Sequence, residues 1–322
     1  MKRGHVYHAW IDFIFKMDKT DRKADSDWMR RKERGSLGLL RLLVWVSLFA
    51  GRNFARLLLY PISLYFMLAA TQAKHASRQY LGKVLRRPVS WKDIFKHFFC
   101  FASISLDRIY FLNGRVNLFS TTIENEDLLH QTMQRNRGIF LFGAHMGSFE
   151  ALRALGHKHT DYTFAQLMYQ NNARKIGQVL AAINPELQKE IIPLGTLETM
   201  MQVHEALESG TMIGILADRT LQQESLKRQK FLERDAAFSE SPFRLAALLR
   251  RPVLLMLGLY LGGNRYRLLF EEIYDFSAKM EDRTMAVAKA QKRYVELLEK
   301  YCQQYPYNWF NFYDFWNTSY KE

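Results

Sequence analysis

The sequence predicts an α/β fold: a mostly parallel sheet flanked by helices, with an N-terminal helical portion that associates with a membrane. The α/β part is predicted by short apolar runs that alternate with amphipathic stretches of helical period along residues 138–304. This alternation is typical of parallel sheets covered by helices on both faces. The membrane-associating part is predicted by residues 36–73, which are strongly apolar and carry arginine and lysine within and beside them. With 48% hydrophobic residues, the chain can bury a large core.

The basic charge is concentrated near the start of the chain. The 322 residues carry a net charge of +14, and residues 1–60 contain 13 Lys/Arg against 6 Asp/Glu, which is half of the surplus. Such a surplus predicts an anionic partner. No nucleic-acid-binding motif is present and the charge lies beside apolar helices, so we expect an anionic membrane surface and no nucleic acid. The two isolated cysteines fit a reducing compartment, and the first residues lack a signal peptide's apolar region.

The N-terminal portion is expected to lie in one face of a bilayer. Its uncharged run Leu57–Ala73 contains Pro61 and is short for a spanning helix. We therefore expect two helices that lie in, or dip into, the bilayer, with basic side chains meeting anionic head groups. Those side chains are Arg41, Arg52, Arg56, Lys74 and Arg78. The alternative is a buried helical hairpin of the core. We assign residues 1–78 to this basic N-terminal region and residues 79–322 to the main domain.

The main domain begins with a helical pattern over residues 79–135, which includes Trp91–Leu112. Periodicity then predicts strands and helices in alternation, and Gly262-Gly-Asn264 predicts a hairpin between the last two strands. The predicted strands are Gly138–Ala144, Thr211–Ala217, Pro252–Leu261 and Tyr266–Ile273. The predicted helices are Asn172–Ile183, Glu198–Glu208, Ser241–Leu249 and Thr284–Gln304.

A histidine and a glutamate follow the first apolar strand. The stretch reads Gly138-Ile-Phe-Leu-Phe-Gly-Ala-His-Met-Gly-Ser-Phe-Glu150, so His145 lies at the carboxyl end of a strand. Ser148 can cap the helix that follows, which places Glu150 in its first turn. A strand-to-helix turn can fold Glu150 back onto His145, where its carboxylate would orient the imidazole as a general base. We expect His145 and Glu150 to be the catalytic pair.

A second apolar strand also ends in ionisable residues. Met212-Ile-Gly-Ile-Leu-Ala217 runs into Asp218-Arg219-Thr220. Because open α/β sheets bind ligands at the carboxyl ends of their strands, both strand ends predict one polar site. The alternative is that Asp218 caps a helix or pairs with Arg219.

These blocks resemble the lysophospholipid-acyltransferase-like superfamily in its lipid A lauroyl/myristoyl acyltransferase branch, most closely the predicted acyltransferases of aryl-polyene and fatty-acid synthesis clusters. The family's His-x4-Glu motif matches His145-Met-Gly-Ser-Phe-Glu150, and its strand ending in aspartate matches Gly210-Thr-Met-Ile-Gly-Ile-Leu-Ala-Asp218. Its downstream arginine corresponds to Arg174 in Tyr169-Gln-Asn-Asn-Ala-Arg-Lys175. The likeness covers roughly residues 28 to 316.

The resemblance implies transfer of a fatty acyl group from acyl carrier protein or coenzyme A to a hydroxyl or amine at the cytoplasmic face of the bacterial inner membrane, by a peripheral or monotopic enzyme. It implies no cofactor beyond the acyl donor, with acyl carrier protein and a lipid or lipid-linked acceptor as partners. Arg174, Asp218 and Arg219 would bind donor or acceptor groups. The acceptor stays open among a lipid A precursor, a lysolipid, and the head group of a polyene or amino-acid lipid.

Other readings compete with this one. An inactive membrane-bound scaffold of a lipid or polyene synthesis complex would tolerate the loss of His145. A serine hydrolase is disfavoured because no Gly-x-Ser-x-Gly elbow exists. His157 and His159 lie two apart but have no third ligand cluster, so we expect a solvated turn and no metal. The aromatic stretch Tyr305–Trp316 has no Lys or Arg, so we expect it to pack in the core or at a membrane interface.

Overall fold

A seven-stranded sheet forms the centre of the protein in a computed structural model, which describes residues 49, 51–151, 162–169, 191–194, 197–220 and 225–316. The strand order is β1-β9-β8-β2-β5-β3-β4, and every neighbouring pair is parallel except β8 with β9. A separate antiparallel ribbon is formed by β6 and β7. The strands are β1 Ser120–Glu124, β2 Ile139–Gly143, β3 Phe164–Tyr169, β4 Ile191–Leu194, β5 Met212–Leu216, β6 Leu226–Phe231, β7 Arg234–Ser239, β8 Pro252–Gly262 and β9 Arg265–Asp275.

Helices cover both faces of this sheet, which confirms the predicted α/β class. Side chains of β2 alternate between two cores: Phe140 and Phe142 belong to one hydrophobic cluster, while Ile139 and Leu141 belong to the other. Buried strands of this kind are continuous apolar runs because both of their faces are covered. The helices are α1 Arg52–Ala69, α2 Thr71–Leu85, α3 Trp91–Leu112, α4 Glu126–Arg135, α5 Leu197–Glu208, α6 Ser241–Leu248 and α7 Arg283–Gln304.

Most predicted elements of the main domain lie within a residue or two of their observed bounds. The predicted β8–β9 hairpin is confirmed, with Gly262 and Gly263 at φ +93° and +65°, a conformation that favours glycine. The all-helical prediction for residues 79–135 is wrong at β1, a short edge strand that pairs with β9. The sequence Ser-Thr-Thr-Ile-Glu is too short for its β-branched residues to stand out beside long helices. The predicted helix Asn172–Ile183 lies outside the described residues.

The N-terminal helices α1 and α2 form a bent pair on one side of the domain. Within the described residues, no single helix is long and apolar enough to cross a bilayer. Together α1 and α2 would satisfy such a test of length and composition, but their axes are bent by 95°. The predicted division between residues 78 and 79 falls inside α2, which is one continuous helix. One side of α1 packs against α3, while the other side is exposed.

Two of the arginines that were expected to meet lipid head groups bind the protein instead. Arg52 is buried, and its guanidinium contacts both carboxylate oxygens of Asp107 at 2.6 and 2.8 Å and the Gly263 carbonyl oxygen at 2.5 Å. Arg56 donates to the Tyr260 hydroxyl at 2.8 Å and to the same carbonyl at 2.9 Å. Taking a guanidinium out of water requires such partners. These contacts fasten α1 to α3 and to the β8–β9 turn, and Arg41 lies outside the described residues.

Candidate active site

The candidate site lies at the carboxyl ends of the central strands β2 and β5. These strands are parallel neighbours, with Phe142 opposite Ile215 and Gly143 opposite Leu216. The pairing continues past the strand ends, because the Ala217 N–H donates to the Gly143 carbonyl oxygen at 3.0 Å. His145 and Asp218 therefore emerge side by side, as the sequence predicted for the two strand ends.

His145 is hydrogen-bonded to Asp218 through two donors. Its Nδ1 lies 2.8 Å from Asp218 Oδ1, and its backbone N–H donates to Asp218 Oδ2 at 3.0 Å. The aspartate side chain is fully buried, whereas 28% of the imidazole surface is exposed. Because a carboxylate only accepts, Nδ1 carries the proton in neutral His145 and Nε2 keeps its lone pair. No hydrogen bond to Nε2 occurs among the described residues, so the lone pair is available as a base.

The charge state of this pair follows from its surroundings. Burial alone would raise the pKa of Asp218, but the charge and hydrogen bonds of His145, with the charge of Arg219, hold that pKa at about 2. Burial lowers the pKa of His145, and so does the positive charge of Arg219. Together these two effects are larger than the effect of the Asp218 carboxylate, which raises that pKa. At neutral pH the pair is thus an imidazole that donates to a carboxylate.

No hydrogen bond or ion pair joins Glu150 to His145 in the structure. Its carboxylate forms an ion pair with Arg108 of α3 instead. The predicted contact fails because the first turn of the new helix carries Glu150 toward α3, while the imidazole turns toward the end of β5. Asp218, which was expected to bind substrate, has the position expected for Glu150.

The turn after His145 is held by tight backbone contacts. Gly147 has φ +68° and forms a bridge with Gly258 of β8. The Ser148 N–H donates to the Gly258 carbonyl oxygen at 2.7 Å. The Ser148 hydroxyl accepts from the Ala151 N–H at 3.1 Å, which confirms the predicted cap of the helix that begins at Phe149.

Arg219 lies beside the pair and is half-buried. Its Nε donates to Asn311 Oδ1 at 2.8 Å, and its guanidinium carbon lies 6.0 Å from the centre of the Tyr313 ring. Burial lowers its pKa. The structure therefore brings Arg219 to the site, where its described partners are protein groups. Arg174 lies outside the described residues.

The C-terminal aromatic stretch supplies partners that the sequence reading did not assign to the site. Trp309 Nε1 and Asn311 Nδ2 both donate to Asp218 Oδ2, at 3.0 and 2.7 Å. The sequence predicted that these aromatic residues pack in the core or at a membrane interface, and the structure places Trp309 in the core, where it is 1% exposed. The only sign of polar contacts in the sequence was the pair of asparagines, Asn308 and Asn311, between aromatic residues. Such residues do not identify a distant partner.

No cluster of three or more metal-ligating side chains occurs in the part of the chain that the structure describes. His157 and His159, for which a solvated turn was expected, lie outside that part.

Comparison with known proteins gives one family match. The profile of the bacterial lipid A biosynthesis acyltransferase family matches residues 101–318, which include His145, Glu150, Asp218 and Asn311. No curated protein matches the chain. Among solved structures, a similar one is the 1-acyl-sn-glycerophosphate (LPA) acyltransferase PlsC from Thermotoga maritima. It has 18% sequence identity and a TM-score of 0.38, over 77% of this chain and 97% of that one.

Proposed function

The chain belongs to the bacterial lipid A biosynthesis acyltransferase family, and from this premise we propose which reaction its site performs. It is an acyltransferase that acts on lipid acceptors. We infer that it moves a fatty acyl group from the thioester of acyl carrier protein or coenzyme A to a hydroxyl or amine of a lipid or lipid-linked molecule. The observation that carries this proposal is the hydrogen bond between His145 and the buried Asp218, which leaves Nε2 open at a sheet edge.

The proposed reaction needs no covalent acyl-enzyme. His145 Nε2 takes the proton of the acceptor hydroxyl or amine as its oxygen or nitrogen attacks the thioester carbonyl carbon. The Asp218 carboxylate stabilises the imidazolium that forms. When the tetrahedral intermediate collapses, the C–S bond breaks and the proton on Nε2 passes to the departing thiolate. The products are the acylated acceptor and the free thiol of the carrier.

The helix start next to His145 supplies N–H groups for the developing oxyanion. The Ser148 and Ala151 N–H groups already have acceptors within the turn. The N–H groups of Phe149 and Glu150 have none in the described contacts. N–H groups at the start of a helix favour negative charge, because the helix dipole adds to their own. We propose that these two N–H groups donate hydrogen bonds to the oxyanion.

The reaction class is tested by acyl transfer with purified protein. Radiolabelled acyl-carrier-protein and acyl-CoA are supplied separately with a bacterial lipid extract, and the labelled lipids are separated and identified by mass spectrometry. We expect a labelled ester or amide whose structure names the acceptor, and none from a matched preparation of His145→Ala. Product that persists in His145→Ala would refute the mechanism. If wild type makes no product from either donor, the inactive scaffold becomes the better reading.

The pH dependence of the transfer follows from the lowered pKa of His145. The base must be neutral, so activity falls as the pH drops through its pKa. Because burial lowers that pKa, we expect the acidic limb of kcat/KM to have its midpoint below the usual histidine value of about 6.5. A midpoint above about 6.5 in a pH series at constant ionic strength would contradict the proposed environment of His145.

We propose that the protein is attached to the cytoplasmic face of the inner membrane, and the exposed side of α1 supports attachment to a membrane. Six large side chains of α1 are 43–61% exposed and recur at helical spacing along one face: Phe54, Leu57, Tyr60, Leu64, Tyr65 and Leu68. Contiguous exposed apolar surface of this kind is unusual on soluble proteins and typical of interfacial helices. We propose that this face enters the head-group boundary of the bilayer, while Arg52 and Arg56 hold the helix to the domain.

Membrane binding through α1 is tested by charge substitution. The double variant Leu57→Glu/Leu68→Glu should lower partitioning onto phosphatidylethanolamine–phosphatidylglycerol vesicles by about 10²- to 10³-fold, because it removes two leucines whose burial in the bilayer is worth about 2 kcal/mol each. The control is Leu248→Glu, which changes a leucine of similar exposure, 54%, on α6. Equal partitioning of both variants in a flotation assay would contradict the proposed face.

A further inference from the structure

We propose that residues Asn308–Asn311, here called the C-terminal strap, are a working part of the site: they fix the Asp218 carboxylate toward His145 and keep Arg219 beside it. The proposal rests on the proposed function in treating His145 as the reactive group. It adds Trp309 and Asn311 as positioning residues, which lie 91 and 93 residues after Asp218 in the chain.

The strap is paired with the His145 turn through the backbone. The Gly147 N–H donates to the Asn308 carbonyl oxygen at 2.8 Å, and the Phe310 N–H donates to the His145 carbonyl oxygen at 2.8 Å. Met146 and Trp309 form an antiparallel bridge between these two bonds. The strap therefore lies along the turn as a short additional strand. A shift of the strap would move the backbone of His145 with it.

The side chains of the strap set the rotation of the Asp218 carboxylate. Oδ2 accepts from Trp309 Nε1 at 3.0 Å and from Asn311 Nδ2 at 2.7 Å, as well as from the His145 backbone N–H. These three donors hold one oxygen in place, so the other, Oδ1, faces His145 Nδ1 at 2.8 Å. Hydrogen bonds to an ionised carboxylate are shorter and stronger than neutral ones.

Asn311 links the carboxylate to the nearby cation. Its Nδ2 donates to Asp218 while its Oδ1 accepts from Arg219 Nε at 2.8 Å. Only this orientation of the amide satisfies both partners, since a flipped amide would set oxygen against carboxylate and N–H against guanidinium. The asparagine is 3% exposed, so water cannot readily replace either contact.

The strap is itself held on both sides. The Trp309 ring lies 4.9 Å from the Tyr80 ring and 4.8 Å from the Phe315 ring, measured between centroids. The Trp309 carbonyl oxygen is 2.7 Å from His97 Nε2. The Asn308 side chain accepts from the Tyr260 N–H at 2.8 Å and donates to the Tyr260 carbonyl oxygen at 3.1 Å. A segment anchored in this way can position groups that it contacts.

Burial moves the pKa values of Tyr294, Cys302 and His97, which lie around the pair, away from neutral pH. Tyr294 and Cys302 of α7 lie near Asp218, and burial raises the pKa of both. Burial lowers the pKa of His97, behind Trp309, to about 4. The remaining neighbours are Arg219, with the Tyr313 ring 6.0 Å from its guanidinium carbon, and, beside the turn, the Glu150–Arg108 ion pair. Labelling measured at His145 itself therefore reports the state of the His145–Asp218 pair.

The test measures the titration of His145 in two variants. Trp309→Phe and Asn311→Leu each remove one donor to Asp218. The carboxylate charge then acts more strongly on the imidazolium, so we expect the pKa of His145 to rise by about one pH unit, a tenfold change in its protonation equilibrium. Diethyl pyrocarbonate modifies neutral imidazole. Its rate at His145 is followed against pH by peptide mass spectrometry, with His130 and His204 as internal references.

The control is Trp316→Phe, in the same aromatic cluster. Its Nε1 donates to the Phe231 carbonyl oxygen at 3.2 Å and not to the site. A rise of the His145 pKa in the two strap variants without a rise in the control supports the proposal. If one strap variant fails to fold, the other variant provides the test. No rise in the strap variants, or an equal rise in the control, overturns it. The labelling uses no acyl donor, so failure of the proposed reaction would be seen separately.

Discussion

Replacing Asp218 with asparagine should lower the rate of acyl transfer by about 10³- to 10⁴-fold while the protein stays folded. The reason is the tautomer of His145. Three N–H donors converge on Asp218 Oδ2, so the amide oxygen of the variant would occupy that position and its NH₂ group would face Nδ1. Nδ1 must then accept, which moves the imidazole proton to Nε2. The base loses its lone pair, and a wrong tautomer of this kind costs about 10⁴ in kcat in the best-known triad.

Glu150→Gln is the matched control, since it makes the same chemical change five residues from His145. Among the described residues the Glu150 carboxylate is paired with Arg108, and this substitution removes that ion pair. We expect it to lower kcat by about tenfold or less, through a shift of the helix start. Single-turnover rates with both variants, together with circular dichroism, separate the two cases. A loss in Glu150→Gln as severe as in Asp218→Asn would show that the His-x4-Glu pair predicted from the sequence is the working one.

The position of the site could be predicted because the sequence shows where the buried strands end. The apolar runs of β2 and β5 are short and end in ionisable residues, and parallel strands gather such ends at one edge. The partner of His145 could not be predicted in the same way. Glu150 is five residues away along the chain, whereas Asp218 is 73 residues away, and only the pairing of β2 with β5 makes it the nearer carboxylate.

The same limit applies to contacts made by residues far apart in sequence. Arg52 looked like a lipid-facing charge because its neighbours are apolar, but its partner Asp107 lies 55 residues later in α3. Trp309 and Asn311 looked like core or interfacial residues, and their bonds to Asp218 span more than 90 residues. Composition and period predicted that these segments would lie in a bilayer or in the protein core. The particular polar partner of each depends on helix packing and strand order, which short-range patterns do not fix.

Gly147→Ala should destabilise the fold strongly and remove activity with it. A Cβ at this position would lie 2.0 Å from the Gly258 carbonyl oxygen and 2.7 Å from its carbonyl carbon. Both are backbone atoms of β8, so neither can rotate aside. The turn would have to leave β8, and His145 would lose its register with Asp218. An alanine at φ +68° also has an unfavourable backbone conformation. From the steric clash and this backbone cost together, we expect the free energy of unfolding to fall by about 4 kcal/mol.

Gly114→Ala isolates the steric part of this effect. Gly114 has φ +69°, almost the same φ as Gly147, but a Cβ there would meet no atom within 4 Å. It should therefore lose only the conformational part, about 1 kcal/mol. Urea unfolding of both variants and wild type gives the comparison, with acyl transfer measured below the unfolding transition. The φ angles of the two glycines are matched, so equal losses of stability in the two variants would mean that the turn carrying His145 separates from β8 at little cost. The hydrogen bonds of Ser148 to β8 and of Gly147 to the C-terminal strap argue against that outcome.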